Sequence, residues 1–392
     1  MKRIGIYGGT FDPPHVGHVR AAQHALCALK LDELLVVPAG ISPGKDREEL
    51  QVTATQRLEM TRLAMAKIPG VTVLDMELRR NGVSYTADTL VEIKRLYPDA
   101  ELFLLMGVDK LLSFTDWYRF EEILQNASLA VFSRGKYPKD QDIRSHMEKV
   151  EALGGKVMRL DNPVTEISST DVRRLLTFHC AEEFLSPQVL DYIRENSLYG
   201  VNKDLRQLPM EQLEEAVISL LKPNRVNHVL GCRDTAVEMA KRWGVDETDA
   251  ARAGLLHDIT KALDGPLQLT LCRSYGIVLD DFSLKYPKTL HALTGSLVAK
   301  RIFGENDAVV DAIASHTTGK GNMNTLEEII YVADYMEPNR DFPGVEELRT
   351  LAFSDLHGAM KLGLQMTLAM LQKQGSEVSP GSREALNWLS AL

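Results

Sequence analysis

The chain is short of the features that mark secreted, membrane and nucleic-acid-binding proteins. Its 392 residues hold four cysteines (Cys27, Cys180, Cys232, Cys272), widely spaced and without a C-x-x-C pair. That excludes a disulfide framework and leads us to expect reduced thiols in a cytoplasm. No apolar run approaches the roughly 20 residues that cross a bilayer. The opening M-K-R-I-G-I-Y has the pattern of a strand and not of a signal peptide, so no membrane partner is expected. Positive charge is in deficit: 45 Lys and Arg face 54 Asp and Glu, for a net charge of -9. Non-specific nucleic-acid binding rests on Lys and Arg neutralising phosphates, so nucleic acid is not an expected partner. Anionic small molecules must be held by local devices instead: helix N-termini, metal ions and single basic side chains. Internal repeats and low-complexity segments are missing too. What remains is 44% hydrophobic and 25% charged, an ordinary globular composition. The length is too great for one hydrophobic core, so two domains are expected.

Residues 1–200 alternate short apolar runs with amphipathic stretches. The expected strands are Arg3–Tyr7, Leu34–Pro38, Val71–Met76, Glu101–Met106, Leu129–Ser133 and Lys156–Leu160. Short Val-, Ile- and Leu-rich runs separated by helical patterns predict a Rossmann-like, doubly wound parallel sheet. Ligands of such sheets bind beyond the C-terminal strand ends, where the loops G-G-T-F-D, S-P-G-K, G-V-D and S-R-G fall. A helix over Pro187–Asn196 closes this domain, with Gly200 as a stop. Residues 201–208 are polar and are expected to form a linker. From Pro209 to Leu392 apolar spacing of i, i+3, i+4 recurs in Leu213–Leu221, Thr235–Trp243, Asp249–Leu256, Leu290–Ile302, Leu326–Tyr335 and Asp355–Gln372. This predicts an all-α second domain.

Two constellations carry chemistry. G-G-T-F-D-P-P-H-V-G-H, residues 8–18, follows a strand and opens a helix. Gly8 and Gly9 permit close backbone approach to a phosphate. His15 and His18, three apart at a helix start, share a face and form an anion cradle, and Gly17 between them is expected to leave room for the ligand. The loop has no candidate nucleophile, which suggests direct in-line transfer, with the protein supplying position and charge. The motif is not G-x-G-x-x-G, so a dinucleotide-binding fold of that type is disfavoured. In the second half, His228, His257, Asp258, His291, His316 and Asp334 are imidazole and carboxylate ligands suited to Fe, Mn, Zn or Mg. Asp258, adjacent to His257, is placed to bridge two ions. Such a pair activates water and polarises a phosphate, which is hydrolytic chemistry. His24, His146, His179 and His357 lack such company and are read as ordinary residues.

The first half resembles the H-x-G-H nucleotidyltransferases, and nicotinate-nucleotide adenylyltransferases in particular. S-Y-T-A-D-T-L (84–90), M-G-V-D-K-L-L-S-F-T-D-W-Y (106–118), F-S-R (132–134), I-S-S-T-D-V-R-R-L-L (167–176) and S-P-Q-V-L-D-Y-I-R-E-N-S-L-Y (186–199) are similar to that family's blocks. The resemblance implies that ATP and nicotinate mononucleotide are joined, with Mg2+, to give deamido-NAD and pyrophosphate. It implies that Gly8, Gly9, Thr10, His15 and His18 hold ATP, with the two histidines stabilising the transferring phosphate, and that Ser169, Thr170 and Arg173 border the ATP site. Arg173 in the first turn of a helix points independently to a nearby anion. Trp117 would stack on the nicotinate ring, the amides of Thr86 and Tyr118 would take its carboxylate, Arg134 its phosphate, and Asp109 would join that site. The family often has P-P-H-K after the second strand. Here Ser42-Pro43-Gly44-Lys45 keeps Lys45, counted among the catalytic residues, and puts Gly44 in the histidine position. S-Y-T and D-W-Y argue against another acceptor such as phosphopantetheine.

The second half resembles HD metal-dependent phosphohydrolases, with R-V-N-H-V-L, L-L-H-D-I-T-K, L-H-A-L-T-G, A-I-A-S-H-T-T-G and Y-V-A-D-Y-M-E-P-N-R-D-F-P-G similar to the bacterial symmetrical diadenosine tetraphosphate hydrolases. The resemblance implies a di-iron centre, or one of Mn or Zn, that yields two ADP. Lys261, one helical turn after Asp258, can reach a phosphate oxygen, and Arg340 can hold the distal phosphates. A bifunctional enzyme is the expectation. The alternative is an HD domain that senses nucleotides or hydrolyses another nucleotide. Small-molecule substrates are the expected partners, and a homo-oligomer stays open.

Overall fold

The computed structural model describes residues 1–41, 51–80, 82–132, 140–161 and 167–392. The chain divides into two compact units, Met1–Asn202 and Lys203–Leu392.

Six strands, β1 (Arg3–Gly9), β2 (Glu33–Pro38), β3 (Val71–Val73), β4 (Glu101–Gly107), β5 (Ser128–Phe132) and β6 (Val157–Leu160), form one sheet in the order β3-β2-β1-β4-β5-β6. Every pairing is parallel. The strands are apolar at successive positions because both faces are covered. Ile4, Ile6, Leu35, Val37, Leu104 and Met106 point into one core, and Tyr7, Leu34, Val36, Phe103 and Leu105 into the other. A strand's alternation thus serves two cores at once. Helices Thr86–Leu96 and Asp140–Ala152 pack on the first, and Val16–Ala28 on the second. Deleting a fully buried side chain such as Leu90 would cost about 2–5 kcal/mol. The order reverses between β1 and β4. Their C-terminal ends therefore diverge into a crevice, the topological switch point where such sheets bind ligands.

The second unit has no strand among its described residues. Each periodic segment there is a helix, including Val226–Trp243, Glu247–Leu256, His291–Arg301 and Thr325–Met336. Gly254 lets two of them press together: a Cβ there would sit 2.7 Å from the Arg233 Cα. Gly265–Ser274, Asp307–Ser315, Val345–Ala352 and Pro380–Ala391 are further helices. Of the residues read as linker, Gln207 donates its N–H to Phe303 O at 2.9 Å, and Leu208 O accepts from the buried Arg252 at 2.9 Å. No helix among the described residues is long and apolar enough to cross a membrane.

Candidate active site and metal centre

The H-x-G-H loop leaves β1 and enters the helix Val16–Ala28 through an unusual cap. His15 is the N-cap residue, and its Nδ1 accepts the Gly17 N–H at 3.2 Å. His18 Nδ1 accepts the His15 N–H at 3.1 Å. An acceptor Nδ1 on a neutral ring puts the proton on Nε2. Both imidazoles thereby become Nε2–H donors, with ring centroids 3.8 Å apart. The cradle expected from spacing is thus built by the helix cap itself. Gly17 plays another part than expected: a Cβ there would lie 3.0 Å from the His15 ring, so the glycine makes room for His15 and not for a ligand. Gly9 is similarly constrained, with the Phe11 ring 2.9 Å from a Cβ position, whereas a Cβ on Gly8 would meet open space.

A cleft of about 700 Å³ opens at the switch point, lined by Gly8, Gly9 and His18 on one side and by Thr86, Asp109, Trp117 and Tyr118 on the other. Helix Thr86–Leu96 begins in this cleft with no side-chain cap on Tyr85, so its first N–H groups favour an anion. Tyr118 is half exposed and packs, tilted by 42°, with its ring centroid 4.5 Å from that of Tyr85, and Trp117 rests on Phe114 at 5.6 Å. Asp109 is exposed at the cleft wall. Lys45 and Arg134 lie outside the described residues.

Ser169 and Arg173 are engaged with the loop that precedes His15, and Thr170 with Arg173. Ser168 caps their helix, while Ser169 Oγ donates to Pro13 O at 2.9 Å. Arg173 lies beyond the first turn. The anion it faces within the fold is Asp12, whose backbone O accepts from it at 2.5 Å and whose Oδ2 lies 3.4 Å away. Thr170 Oγ1 accepts from Arg173 at 3.1 Å. The sequence reading missed two residues that brace the loop and one that lines the cleft. Tyr199 donates to Asp12 Oδ1 at 2.7 Å. Arg57, wholly buried, donates to Thr10 O at 2.7 Å and to Gly40 O at 3.0 Å. Glu77 lines the cleft and accepts from Thr89 Oγ1 at 2.7 Å. Burial raises its pKa. Tyr199 ends the block S-P-Q-V-L-D-Y-I-R-E-N-S-L-Y, so only its role went unread; Arg57 and Glu77 belong to no motif, and only the fold brings them to the site.

In the second unit all six expected ligands converge. The four imidazoles share one arrangement: each Nδ1 faces an oxygen. His257 donates to Gly254 O at 2.7 Å, His291 to Lys288 O at 2.8 Å, His316 to Ile313 O at 2.6 Å, and His228 to Glu337 Oε1 at 3.0 Å. A proton on each Nδ1 leaves each Nε2 as a lone pair directed at the centre, the usual state of a metal-binding histidine. Burial holds His257 and His291 well below their ordinary pKa and lowers His316 to about 4, so all three are neutral. Asp258 lies among them with its oxygens divided. Oδ2 is 3.7 Å from His228 Nε2 and 3.6 Å from His257 Nε2, and Oδ1 is 3.5 Å from His291 Nε2 and 3.8 Å from His316 Nε2. Asp334 Oδ1 lies 3.1 Å from His228 Nε2 and 3.8 Å from His257 Nε2. Burial opposes its ionisation, but the guanidinium of Arg340 beside it holds its pKa well below the carboxylate range.

These residues fit metal ions. His228 and His257 turn Nε2 lone pairs toward each other at 3.3 Å, beside two carboxylate oxygens. Converging lone pairs and negative charge are stable only around a cation. His228, His257 and Asp334 form one ligand group, and His257, Asp258 and His316 a second, which His291 borders. Lys261 sits on a turn after the helix Glu247–Leu256 and not within it, because the helix stops at Leu256. Its Nζ is 2.8 Å from His291 Nε2 and 3.9 Å from Asp258 Oδ1, and burial lowers its pKa to about 8. Arg340 donates to Asp334 Oδ1 at 2.7 Å. Two neighbours escaped the sequence reading. Glu337 orients His228, and Arg225 lies with its guanidinium against Asp258 Oδ2. Both stand inside motif blocks, R-V-N-H and M-E-P-N-R, so only their roles went unread.

Residues 6–175 match the Cytidylyltransferase-like family model, and residues 225–339 the HD domain model. A "Probable nicotinate-nucleotide adenylyltransferase" of Shewanella sp. is 35% identical over 211 residues, which are 50% of this chain and 99% of that protein. One of the same name from Albidiferax ferrireducens is 40% identical over 200 residues, 51% of this chain and 98% of its own length. A solved structure from Clostridium acetobutylicum, described as a "predicted HD superfamily hydrolase involved in NAD metabolism", is 36% identical, covering 47% of this chain and 98% of that one with a TM-score of 0.46. Through its first unit the chain belongs to the nicotinate-nucleotide adenylyltransferase family, and its second unit is an HD domain.

Proposed function

We propose that the chain is a bifunctional nucleotide enzyme. Its first unit transfers the adenylyl group of ATP to nicotinate mononucleotide, giving deamido-NAD and pyrophosphate. Its second unit hydrolyses diadenosine tetraphosphate to two ADP. Family membership supports the first activity, and so does the paired cap that makes His15 and His18 neutral Nε2–H donors at a helix N-terminus. Such donors stabilise charge on a phosphate in transfer without acting as nucleophiles. The uncapped helix start at Thr86 and the rings of Trp117 and Tyr118 supply a place for a planar acid. Ser169 and Arg173, the latter held by Thr170, brace the loop that would lie below the ATP phosphates.

For the second activity the carrying observation is the division of Asp258, one oxygen toward each pair of imidazoles. His228, His257 and Asp334 would hold one divalent ion, His291 and His316 the other, and Asp258 both. Bound there, the ions would supply Lewis-acid polarisation and a hydroxide near neutral pH. Lys261 and Arg340 supply positive charge at the rim, suited to phosphate oxygens. Iron, manganese or zinc suits the donor set.

The test for the first unit is competition between acceptors. Nicotinate mononucleotide should exceed nicotinamide mononucleotide by at least about tenfold in kcat/KM, because donors arranged for a carboxylate stay unpaired with the amide. Equal rates would defeat the assignment. For the second, diadenosine tetraphosphate is incubated anaerobically with Fe2+, Mn2+, Zn2+ or Mg2+. Two ADP identify cleavage at the centre of the chain. ATP with AMP would overturn that pose, and no product with any metal would make the domain a sensor.

A further inference from the structure

Arg225 is the cation of this centre whose interactions are incomplete. It ends the short segment Pro223–Arg225, three residues ahead of His228, and its guanidinium lies against Asp258 Oδ2. Arg340 uses Nε on Asp334 O at 2.9 Å and a terminal nitrogen on Asp334 Oδ1 at 2.7 Å. By contrast, Arg225 Nε is buried with no hydrogen-bond partner. The oxygen Arg225 covers is the one that also faces His228 and His257 Nε2, at 3.7 and 3.6 Å. A guanidinium and a metal ion therefore compete for a single carboxylate oxygen.

We infer that Arg225 is an exchange residue: it neutralises Asp258 before metal binds, and metal binding releases it to hold a phosphate group of the substrate. The inference rests on the phosphohydrolase reading for the identity of the substrate, but not for the exchange itself. A divalent ion on Asp258 removes the negative charge that holds the guanidinium and adds a repulsive one. Arg225 cannot go far, because Pro223 precedes it and the helix of His228 follows. Its side chain is about a quarter exposed, so it stays at the rim of the centre. Asp258, Asp334 and Glu337 are already matched by Arg225, Lys261 and Arg340, so added divalent ions leave a large positive excess. A polyphosphate offsets that excess, and Arg's planar fork matches phosphate oxygens. The metal site and the anion site are thus made sequentially from the same side chain.

The exchange predicts effects of opposite sign, which a merely structural arginine would not produce. The full chain and its Arg225→Gln variant are titrated with Mn2+ alone, then with inorganic pyrophosphate after Mn2+ loading. The pyrophosphate signal is restricted to the part that Asp258→Ala abolishes, which excludes the first unit. Arg225→Gln should bind Mn2+ at least about threefold more tightly, since a competing cation is gone. It should bind pyrophosphate at least about tenfold more weakly, for lack of a charge-assisted bidentate donor. Arg225→Lys should move both values back toward wild type. Weaker Mn2+ binding in Arg225→Gln, or unchanged pyrophosphate binding, overturns the exchange. Opposite shifts in a chain that releases no ADP from diadenosine tetraphosphate would uphold the exchange and remove the hydrolase reading alone.

Discussion

Glu337 Oε1 accepts the Nδ1 hydrogen bond of His228 at 3.0 Å, whereas the other three imidazoles of the centre donate to main-chain carbonyls. A carbonyl holds a ring at no risk from substitution, but a carboxylate can be removed. Glu337 is itself fixed: Oε2 accepts from Asn339 N at 2.7 Å and Nδ2 at 2.8 Å. Glu337→Ala should therefore free the His228 ring to rotate and lower Mn2+ affinity by about 10–100-fold, the usual cost of losing such an orienting partner. Isothermal titration reads this directly, and Glu337→Gln, which keeps an acceptor oxygen, should lose less.

Gly231 supplies an independent route to the same result. A Cβ at this position would lie 2.5 Å from Glu337 Oε2 and 3.1 Å from Asn339 Nδ2. Gly231→Ala adds one methyl group on the surface of a helix, where alanine is ordinarily favourable by up to about 1 kcal/mol. Here overpacking against a buried carboxylate should reverse the sign and destabilise by about 1–3 kcal/mol. Denaturant unfolding of the second unit should shift accordingly, and Mn2+ affinity should fall with it. A stabilised variant with intact metal binding would mean that Glu337 does not need its position.

Asp258 serves both pairs of imidazoles, so its loss should not be partial. Asp258→Ala should abolish metal-dependent ADP release while adenylyl transfer stays at the wild-type rate, because the two chemistries use different units of the chain. Product analysis of both reactions on one preparation checks this. A parallel fall in deamido-NAD formation would show that the sites are coupled.

The contrast between these residues and the sequence reading has a physical basis. The six strands and the long helices were legible because period-two and period-3.6 burial leaves a direct trace in the order of apolar residues. Metal ligands were legible because imidazole and carboxylate are rarely gathered without chemistry to perform. Helices such as Asp307–Ser315 left little trace. They are short, depend on tertiary packing, and Val309, Ala312 and Ile313 read equally as a buried strand. Glu337, Tyr199 and Arg57 act through contacts 109, 187 and 47 residues distant in sequence, and no local pattern records such distances. Gly17 was read as space for a ligand because spacing shows that room is needed, but not which atom fills it.

His18 and Gly17 separate charge from position in the first unit. His18→Ala removes a donor to the transferring phosphate and should lower kcat by about 10²–10³, with less change in KM for ATP. Gly17→Ala leaves every donor in place but drives the His15 ring from a Cβ 3.0 Å away. A displacement of that order costs up to about 10²-fold when reacting groups must be aligned. Steady-state kinetics should show both variants impaired in kcat. In Gly17→Ala, disruption of the helix cap should also lower the unfolding temperature.

Tyr199 tests whether the far end of the first unit supports its active loop. The residue lies after the helix Pro187–Glu195, in left-handed backbone with φ 54°, and is buried. Its hydroxyl donates to Asp12 Oδ1 at 2.7 Å, and the loop from Asp12 leads directly into His15. Asp12 is 4% exposed, so water cannot easily replace a lost partner. Tyr199→Phe preserves the ring and removes only the donor, leaving a buried carboxylate oxygen short of one hydrogen bond. That should cost about 1–3 kcal/mol of stability. Arg173, bonded to Asp12 O and near Oδ2, should keep the loop from unfolding outright. The expected outcome is a lower unfolding midpoint together with a reduced kcat for adenylyl transfer, while ADP release by the second unit is unchanged. Arg173→Gln in the same background should cost more than the sum of the two single changes, since each is the other's remaining support on Asp12. Simple additivity in a double-mutant cycle would show that the two contacts act independently.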